Sequence, residues 1–330
     1  MPEEASRKYE VVKDIPGVGP ATAEKLKELG FNTIESLATA TIRELVPAGI
    51  GEKQAAKIIG EARDSISLSF IRADELMKMK ENVLRLTLGS KAIDGLVGGG
   101  LESQTITEFY GEYGVGKSIL CHQLAINVQL PIGRGGLDGG ALYLDTEQTF
   151  RPEWIVRMAQ QAGLDAVTAA QRIIYSEAYN SDHQILLLEK ADQIIKENKI
   201  RLIIIDSLTS HFRSEYLGRE MLAERQQRLN NHMHRLIRLA RGFNAVAVVT
   251  NQVMARPDQF FGNSVDAVGG HIVAHTSHTR IFIRRAVNNP GVRIARLVSS
   301  PYLPEGERIF KVTDIGIQDV SEEDEVKRRR

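Results

Sequence analysis

The run Gly111-Glu112-Tyr113-Gly114-Val115-Gly116-Lys117-Ser118 lies between a stretch that favours a strand and one that favours a helix. Its spacing is GxxxxGK[ST], a phosphate-binding loop in the context that loop requires. Glycines let the backbone bend around an anion, N–H groups and the helix N-terminus supply positive potential, and Lys117 reaches the β- and γ-phosphates of a nucleoside triphosphate. Ser118 is expected to ligate Mg²⁺. Asp206 ends the apolar run Leu202-Ile203-Ile204-Ile205, the Walker B form, and is expected to hold the same ion directly or through water. An apolar run closed by Asp is common in α/β proteins and gains weight only beside the phosphate loop.

Hydrolysis also needs a group that positions and activates water. Asp145-Thr146-Glu147 follows the apolar run 141–144, which makes Glu147 the candidate general base, with capping of a helix that begins near Pro152 as the alternative. Asn251-Gln252 follows a strand ending at Thr250, so Gln252 is expected to bond a γ-phosphate and report it to the irregular segment 254–278.

These groups need a scaffold, and length and composition bound it. At 330 residues and 36.6 kDa the chain suits about two domains, and 42% hydrophobic with 25% charged residues excludes disorder of the whole. The longest apolar runs, near 202–205 and 245–249, are far short of a membrane span. The N-terminal MPEEASRKYE lacks an apolar targeting region, and the single Cys121 makes no internal disulfide and no CxxC pair, so a cytosolic (cytoplasmic) protein is expected.

Lys and Arg number 42 and Asp and Glu 42, so the formal charge is zero. Its distribution is uneven. Between His211 and Arg296 stand thirteen arginines, no lysine and five acids, a net +8, together with six of the eight histidines. Arginine forks suit phosphate contact, which opens nucleic acid as a partner, and a solvated helix face with excess arginine is the other explanation.

The first seventy residues predict short helices broken by glycine turns. Ile15-Pro16-Gly17-Val18-Gly19-Pro20 precedes an amphipathic stretch at 23–29, and Ala48-Gly49-Ile50-Gly51 precedes another at 55–62. This resembles a tandem helix-hairpin-helix domain, with phosphate contact at the helix starts or a plain helical bundle as the two outcomes. Ser65-Ile66-Ser67-Leu68-Ser69-Phe70 alternates with period two and predicts a half-buried strand, paired within its own chain or added to the sheet of another molecule. A charged linker helix is expected over 72–80. From about Leu84, strands near 105–110, 141–144, 173–175, 202–205, 245–250 and 279–284 alternate with helices, including 181–197 and 220–241, which implies a mainly parallel sheet covered on both faces. The charged tail is expected to be disordered. The expected boundaries are 1–64 for the helix-hairpin-helix domain, 65–82 for the linker with its strand, 83–320 for the core and 321–330 for the tail.

In this order, the helix-hairpin-helix region, the linker strand, GEYGVGKS, LDTEQTFRPE, LIIIDSLTSHFRSEYLGRE, NQVMARPD, GGHIVAH and LPEGE resemble the archaeal RadA recombinases, relatives of bacterial RecA, over almost the whole chain. The resemblance implies an α/β fold with a RecA-like P-loop ATPase core, plus a small all-α N-terminal domain. It implies an ATP- and Mg²⁺-dependent ATPase that forms filaments or rings of itself on single-stranded DNA and pairs that strand with homologous double-stranded DNA in break repair, with mediator proteins as further partners. By the same resemblance Arg213, Arg219 and Arg225 belong to a first DNA loop, and Gly269, Gly270 and His271 to a second. Phe70 and Ala73 match an FxxA self-association motif, Pro304 and Glu305 complete a neighbour's nucleotide site, and Trp154 takes the place of an arginine that covers the adenine. Gln148 departs from the family's usual residue beside Glu147. A recombination mediator and a ring helicase on the same core are the rival functions.

Overall fold

The computed structural model describes Tyr9 and residues 11–65, 72–255, 265–267, 270–287 and 289–321. Phe70, Gly269 and the tail from 322, like the expected strand 65–70 beyond Ser65 and the side chain of His271, lie outside the described residues. The chain separates into two compact units, Met1–Asn82 and Val83–Arg330.

In the first unit, Gly17 takes a left-handed φ of +94° and Gly49 one of +73°, conformations that favour glycine. Each turn leads into a helix, Pro20–Glu28 and Glu52–Ser65. Leu26, Leu37, Leu45, Ile58 and Ala62 close a separate small core between them. The linker helix Ala73–Lys80 carries both its methionines' neighbours in water, and Ala73 at its start is exposed.

The second unit opens with a short antiparallel pair, β1 (Arg85–Leu86) and β2 (Leu101–Glu102). The main sheet follows, with β3 (Ile106–Gly111), β4 (Gly140–Asp145), β5 (Ile173–Glu177), β6 (Ile200–Asp206), β7 (Val246–Ala255), β8 (Val265–Ala267), β9 (Thr279–Ala286), β10 (Asn289–Ser299), β11 (Gly306–Thr313) and β12 (Gly316–Gln318). Across the sheet the order is β12-β11-β10-β9-β3-β7-β6-β4-β5, and β8 pairs with the end of β7. The strands from β9 to β5 are parallel; β10, β11 and β12 run antiparallel at one edge. The parallel part matches the expected alternation of strands and helices. The antiparallel edge has no helical crossovers, and it was not among the expected strands.

Successive residues of a strand point to opposite faces, so the apolar runs feed two cores. Tyr143, Leu202, Ile204 and Val248 join the core under the helices Lys117–Asn127 and Pro152–Gln161. Leu144, Ile203, Ile205 and Val249 join the core under Ser181–Glu189, Ala191–Glu197 and Leu222–Gly242. The single helix expected over 181–197 is two, broken at Lys190. The segment expected to be irregular from 254 to 278 includes β8 and the helix Gly270–Thr276. No described helix is long and apolar enough to cross a membrane.

Register then sets the site. Gly111 is level with Gln252 on β7, and Asp145 is level with Asp206 on β6. Four loops therefore leave the sheet at its carboxyl edge together, where an open α/β sheet binds ligands.

Candidate functional site

Gly114 (φ +73°) and Gly116 (φ +104°) turn the phosphate loop through left-handed backbone, and Gly116 caps the helix Lys117–Asn127 without any side-chain hydrogen bond. Gly111 has no room for anything larger, since a Cβ there would sit 2.2 Å from the Ile283 carbonyl oxygen. Val115 is buried and anchors the loop, while Glu112, Tyr113 and Gly114 are exposed. Lys117 Nζ donates to the carbonyls of Gly111 and Glu112, at 2.9 Å each. Burial lowers the Lys117 pKa, and Asp206 and Glu147 act against that shift. A half-buried cation and uncapped helix amides fit a polyphosphate.

Asp206 is almost wholly buried at the end of β6. Its Oδ2 accepts from Tyr143 Oη at 2.8 Å and from Thr149 Oγ1 at 3.2 Å, and its Oδ1 accepts from Thr250 Oγ1. Three hydroxyls thus donate to this carboxylate, and both oxygens are engaged. That arrangement fits a hydrated divalent cation better than direct ligation by Asp206. Among the described residues there is no cluster of three or more His, Cys, Asp or Glu that could hold a metal ion.

Glu147 does not cap a helix. The helix Pro152–Gln161 has Arg151 as its N-cap, and Glu147 Oε1 instead accepts from Ser207 Oγ at 2.8 Å and from Gln252 Nε2 at 3.0 Å. The two groups expected to handle water and γ-phosphate are therefore directly bonded. The loop that carries Glu147 is held by Asp145, which is buried and accepts from the amides of Glu147 (3.0 Å) and Phe150 (2.9 Å). His122 braces it from the phosphate-loop helix. Its Nε2 accepts from Arg151 N at 3.0 Å, so the proton sits on Nδ1 and bonds the Ser118 carbonyl. Burial lowers the His122 pKa and keeps it neutral. Gln148, with φ +55°, turns away and bonds Glu177.

Asn251 joins the site to what lies beyond. Its Nδ2 donates to Glu108 Oε1 at 2.9 Å, while its Oδ1 accepts from Thr209 Oγ1 at 2.7 Å and from Gln252 N at 2.9 Å. Glu108 is fully buried and pairs with Arg280 Nε at 2.6 Å. Thr209 is the N-cap of the helix Ser210–Glu215, which carries Arg213. A cleft of about 260 Å³ runs along this route, lined by Ser207, Thr209, Ser210, Arg213, Ser214 and Gln252.

Arg213 and Arg219 are exposed, Arg225 is half-buried, and none of the three makes a side-chain hydrogen bond or ion pair among the described residues. Gly270 begins the helix Gly270–Thr276. Much of the arginine excess is nevertheless spent inside the fold, where Arg280 pairs with Glu108, Arg228 with Asp182, Arg235 with Asp192, Arg284 with Glu307 and Arg296 with Glu305. Trp154 is half-buried against the core beside the phosphate-loop helix. Pro304 and Glu305 are exposed in the turn between β10 and β11, where Glu305 pairs with Arg296. Sequence reasoning passed over Tyr143, Thr149, Ser207, Thr250 and His122. Ser207, Thr149 and Thr250 stand within two residues of named groups, a usable signal; Tyr143 and His122 are brought in only by the sheet register and the helix packing.

A family model described as Rad51 matches residues 79–320, and one described as a SAM-like helix-hairpin-helix tandem matches 9–64. The chain is 49% identical over 321 residues to a DNA repair and recombination protein RadA of Metallosphaera sedula, covering 97% of this chain and 98% of that one. It is 48% identical over 317 residues to the protein of the same name from Aeropyrum pernix, covering 96% and 99%. With the phosphate loop, the paired Glu147 and Gln252 and the core-plus-hairpin architecture already in place, these matches show that the chain belongs to the Rad51 family, alongside the RadA proteins.

Proposed function

We propose that the protein is an ATP-dependent recombinase that polymerises on single-stranded DNA and exchanges strands with a homologous duplex. The observation that carries this function is the direct bond from Gln252 Nε2 to Glu147 Oε1, with Gln252 lining the same cleft as Arg213. One side chain touches both the hydrolytic base and the wall that leads to the DNA-facing helix.

The phosphate-loop amides and Lys117 bind the triphosphate, and Ser118 with Asp206 would hold Mg²⁺, which neutralises charge on the phosphates when bound. Ser207 orients Glu147, and Glu147 takes the proton of an attacking water. Gln252 Nε2 carries two N–H donors, one of them on Glu147 and the other available to a γ-phosphate, so a bound triphosphate shifts the side chain toward itself and loosens its hold on the base. Movement of Gln252 that reaches its backbone is passed to Asn251, whose Oδ1 accepts from both the Gln252 backbone N–H and Thr209 Oγ1. DNA affinity then depends on the nucleotide state, a coupling between two sites through one two-position side chain. Arg213, Arg219 and Arg225, with Gly269, Gly270 and His271 from the second loop, face the DNA backbone, so binding weakens steeply with salt while base pairing supplies specificity.

Self-association uses the linker strand. β5 ends the sheet order, so one edge of it carries no strand partner among the described residues and suits the strand expected over 65–70 of a second copy, with Ala73 following. Trp154 stacks near the base, and Pro304 with Glu305 of a neighbour covers the nucleotide's far side. Mediator proteins, the four expected segment boundaries and a cytoplasmic setting belong to the same proposal. Joint-molecule formation tests it: product is expected only with ATP and homologous DNA. Product with heterologous duplex, or unwinding of a forked duplex without homology, would replace the recombinase with a helicase.

A further inference from the structure

Arg285 on β9 and Arg293 on β10 are directly opposite each other in the sheet. Like charges at facing positions of an antiparallel pair repel, so folding alone does not favour them. Burial, and after it the charge of Arg285, lower the Arg293 pKa. Both side chains nevertheless reach the same object. Arg293 Nε donates to Val115 O at 2.9 Å, and Arg285 Nη2 donates to the carbonyls of Tyr113 and Gly114 at 3.3 Å each. Lys117 holds the carbonyls of Gly111 and Glu112. Five consecutive carbonyls of the phosphate loop, from 111 to 115, are therefore each bonded to a cation.

The consequence follows from peptide geometry. In a trans peptide the C=O of one residue and the N–H of the next point in opposite directions. Carbonyls of Tyr113, Gly114 and Val115 drawn toward the arginines turn the amides of Gly114, Val115 and Gly116 to the other side of the loop. Three cations around one short loop also raise the local positive potential well above what Lys117 gives alone, and a polyanion offsets their mutual repulsion.

We propose that Arg285 and Arg293 are positioning residues for nucleotide binding: they pin the outer carbonyls so that the amides face the phosphates, and their charges favour the more highly charged ligand. Neither touches the phosphates. This inference rests on the ATPase function proposed above. It also explains why a facing pair of like charges is kept beside the loop, and it separates these two arginines from those that serve the core or the DNA surface.

The test compares the full-length wild type with Arg285→Gln/Arg293→Gln, Arg293→Lys and, as a reference, Lys117→Ala. ATP and ADP affinities are measured by calorimetry at low and high salt, and thermal midpoints are measured without nucleotide. The double variant is expected to bind ATP about tenfold more weakly at low salt, the loss of roughly one charge-assisted hydrogen bond. ADP should lose less, and the salt dependence of ATP binding should flatten. Its nucleotide-free midpoint should stay level or rise, because the repulsion is gone, and Arg293→Lys should keep most of the affinity. If wild type binds ATP and the double variant matches it within twofold, the inference is wrong. Equal losses for ATP and ADP together with a lowered midpoint would mark an ordinary packing role and also overturn it. Wild type that binds no ATP would overturn the ATPase function itself, a result distinct from either.

Discussion

Replacing Glu108 by leucine tests the junction beneath the site. Glu108 is fully buried, Arg280 is 15% exposed, and the two meet at 2.6 Å, with Asn251 Nδ2 on the other carboxylate oxygen at 2.9 Å. Glu108→Leu removes one charge and leaves Arg280 and the Asn251 amide without their acceptor. Breaking one side of a buried pair costs about 3–5 kcal/mol. Converted at ~2–4 °C per kcal/mol for a domain of this size, the thermal midpoint falls by roughly 10 °C. Trp154 is the only tryptophan in the chain and lies in the second unit, so its fluorescence in urea follows that unit alone. The double change Glu108→Leu/Arg280→Met should regain about half of the loss or more relative to Glu108→Leu, because the one charge left unpaired by the single change is then removed as well. Asn251 still lacks an acceptor in the double variant, so DNA-stimulated ATP turnover should stay reduced after stability has partly returned. If the two single effects add within about 0.5 kcal/mol, the pair is not coupled and the junction is wrongly described.

Glu147→Gln should keep ATP and DNA binding and lose turnover by roughly 10²- to 10⁴-fold, the usual worth of a general base, as read from phosphate release; normal hydrolysis would remove Glu147 from that role. Gly111→Ala should destabilise the second unit by about 3 kcal/mol and abolish nucleotide binding, since the new Cβ meets Ile283 O on the neighbouring strand; urea unfolding with and without ATP measures both. Burial pushes His232 down to about 4 from an ordinary 6.5. Between those values the unfolded chain takes up a proton that the folded chain refuses, so stability is full above pH 6.5 and falls by roughly 3 kcal/mol toward pH 4. His232→Met should flatten that part of the pH profile of unfolding, and an unchanged slope would place the loss elsewhere. His122 and His278, also lowered by burial, contribute in the same direction.

The phosphate loop, Asp206, Glu147 and Gln252 could be named from sequence because each chemistry is written in a short stretch of chain and lies at the end of an apolar run that must be a buried strand. The parallel half of the sheet followed from the alternation of such runs with amphipathic ones. What the sequence could not show depends on register. Tyr143 is an ordinary apolar-strand residue until β4 pairs with β6 and brings its hydroxyl to Asp206. Thr250 and His122 likewise acquire roles only through neighbours 44 and 29 residues away in the chain. The arginine count pointed toward nucleic acid, but charge along a sequence does not say which way a side chain faces. Arg280 is buried against Glu108, and Arg285 and Arg293 point at the phosphate loop, whereas Arg213 and Arg219 are left to solvent. The antiparallel edge from β10 to β12 was hidden because its strands mix charged and apolar residues on a sheet face that is only half covered. Glu147 was read as base or helix cap, and the distinction needed the hydrogen bonds from Ser207 and Gln252.

In the mechanism proposed above, the state of the nucleotide, passed from Gln252 through Asn251 to the helix that carries Arg213, sets the grip on DNA. Binding of the full-length protein to a fluorescent single-stranded oligonucleotide, titrated with no nucleotide, with ADP and with a non-hydrolysable ATP analogue, measures it most directly. Clearly tighter and more cooperative binding is expected with the ATP analogue than in the other two states, and loss of that difference in Gln252→Ala. Equal affinity in all three states would contradict it.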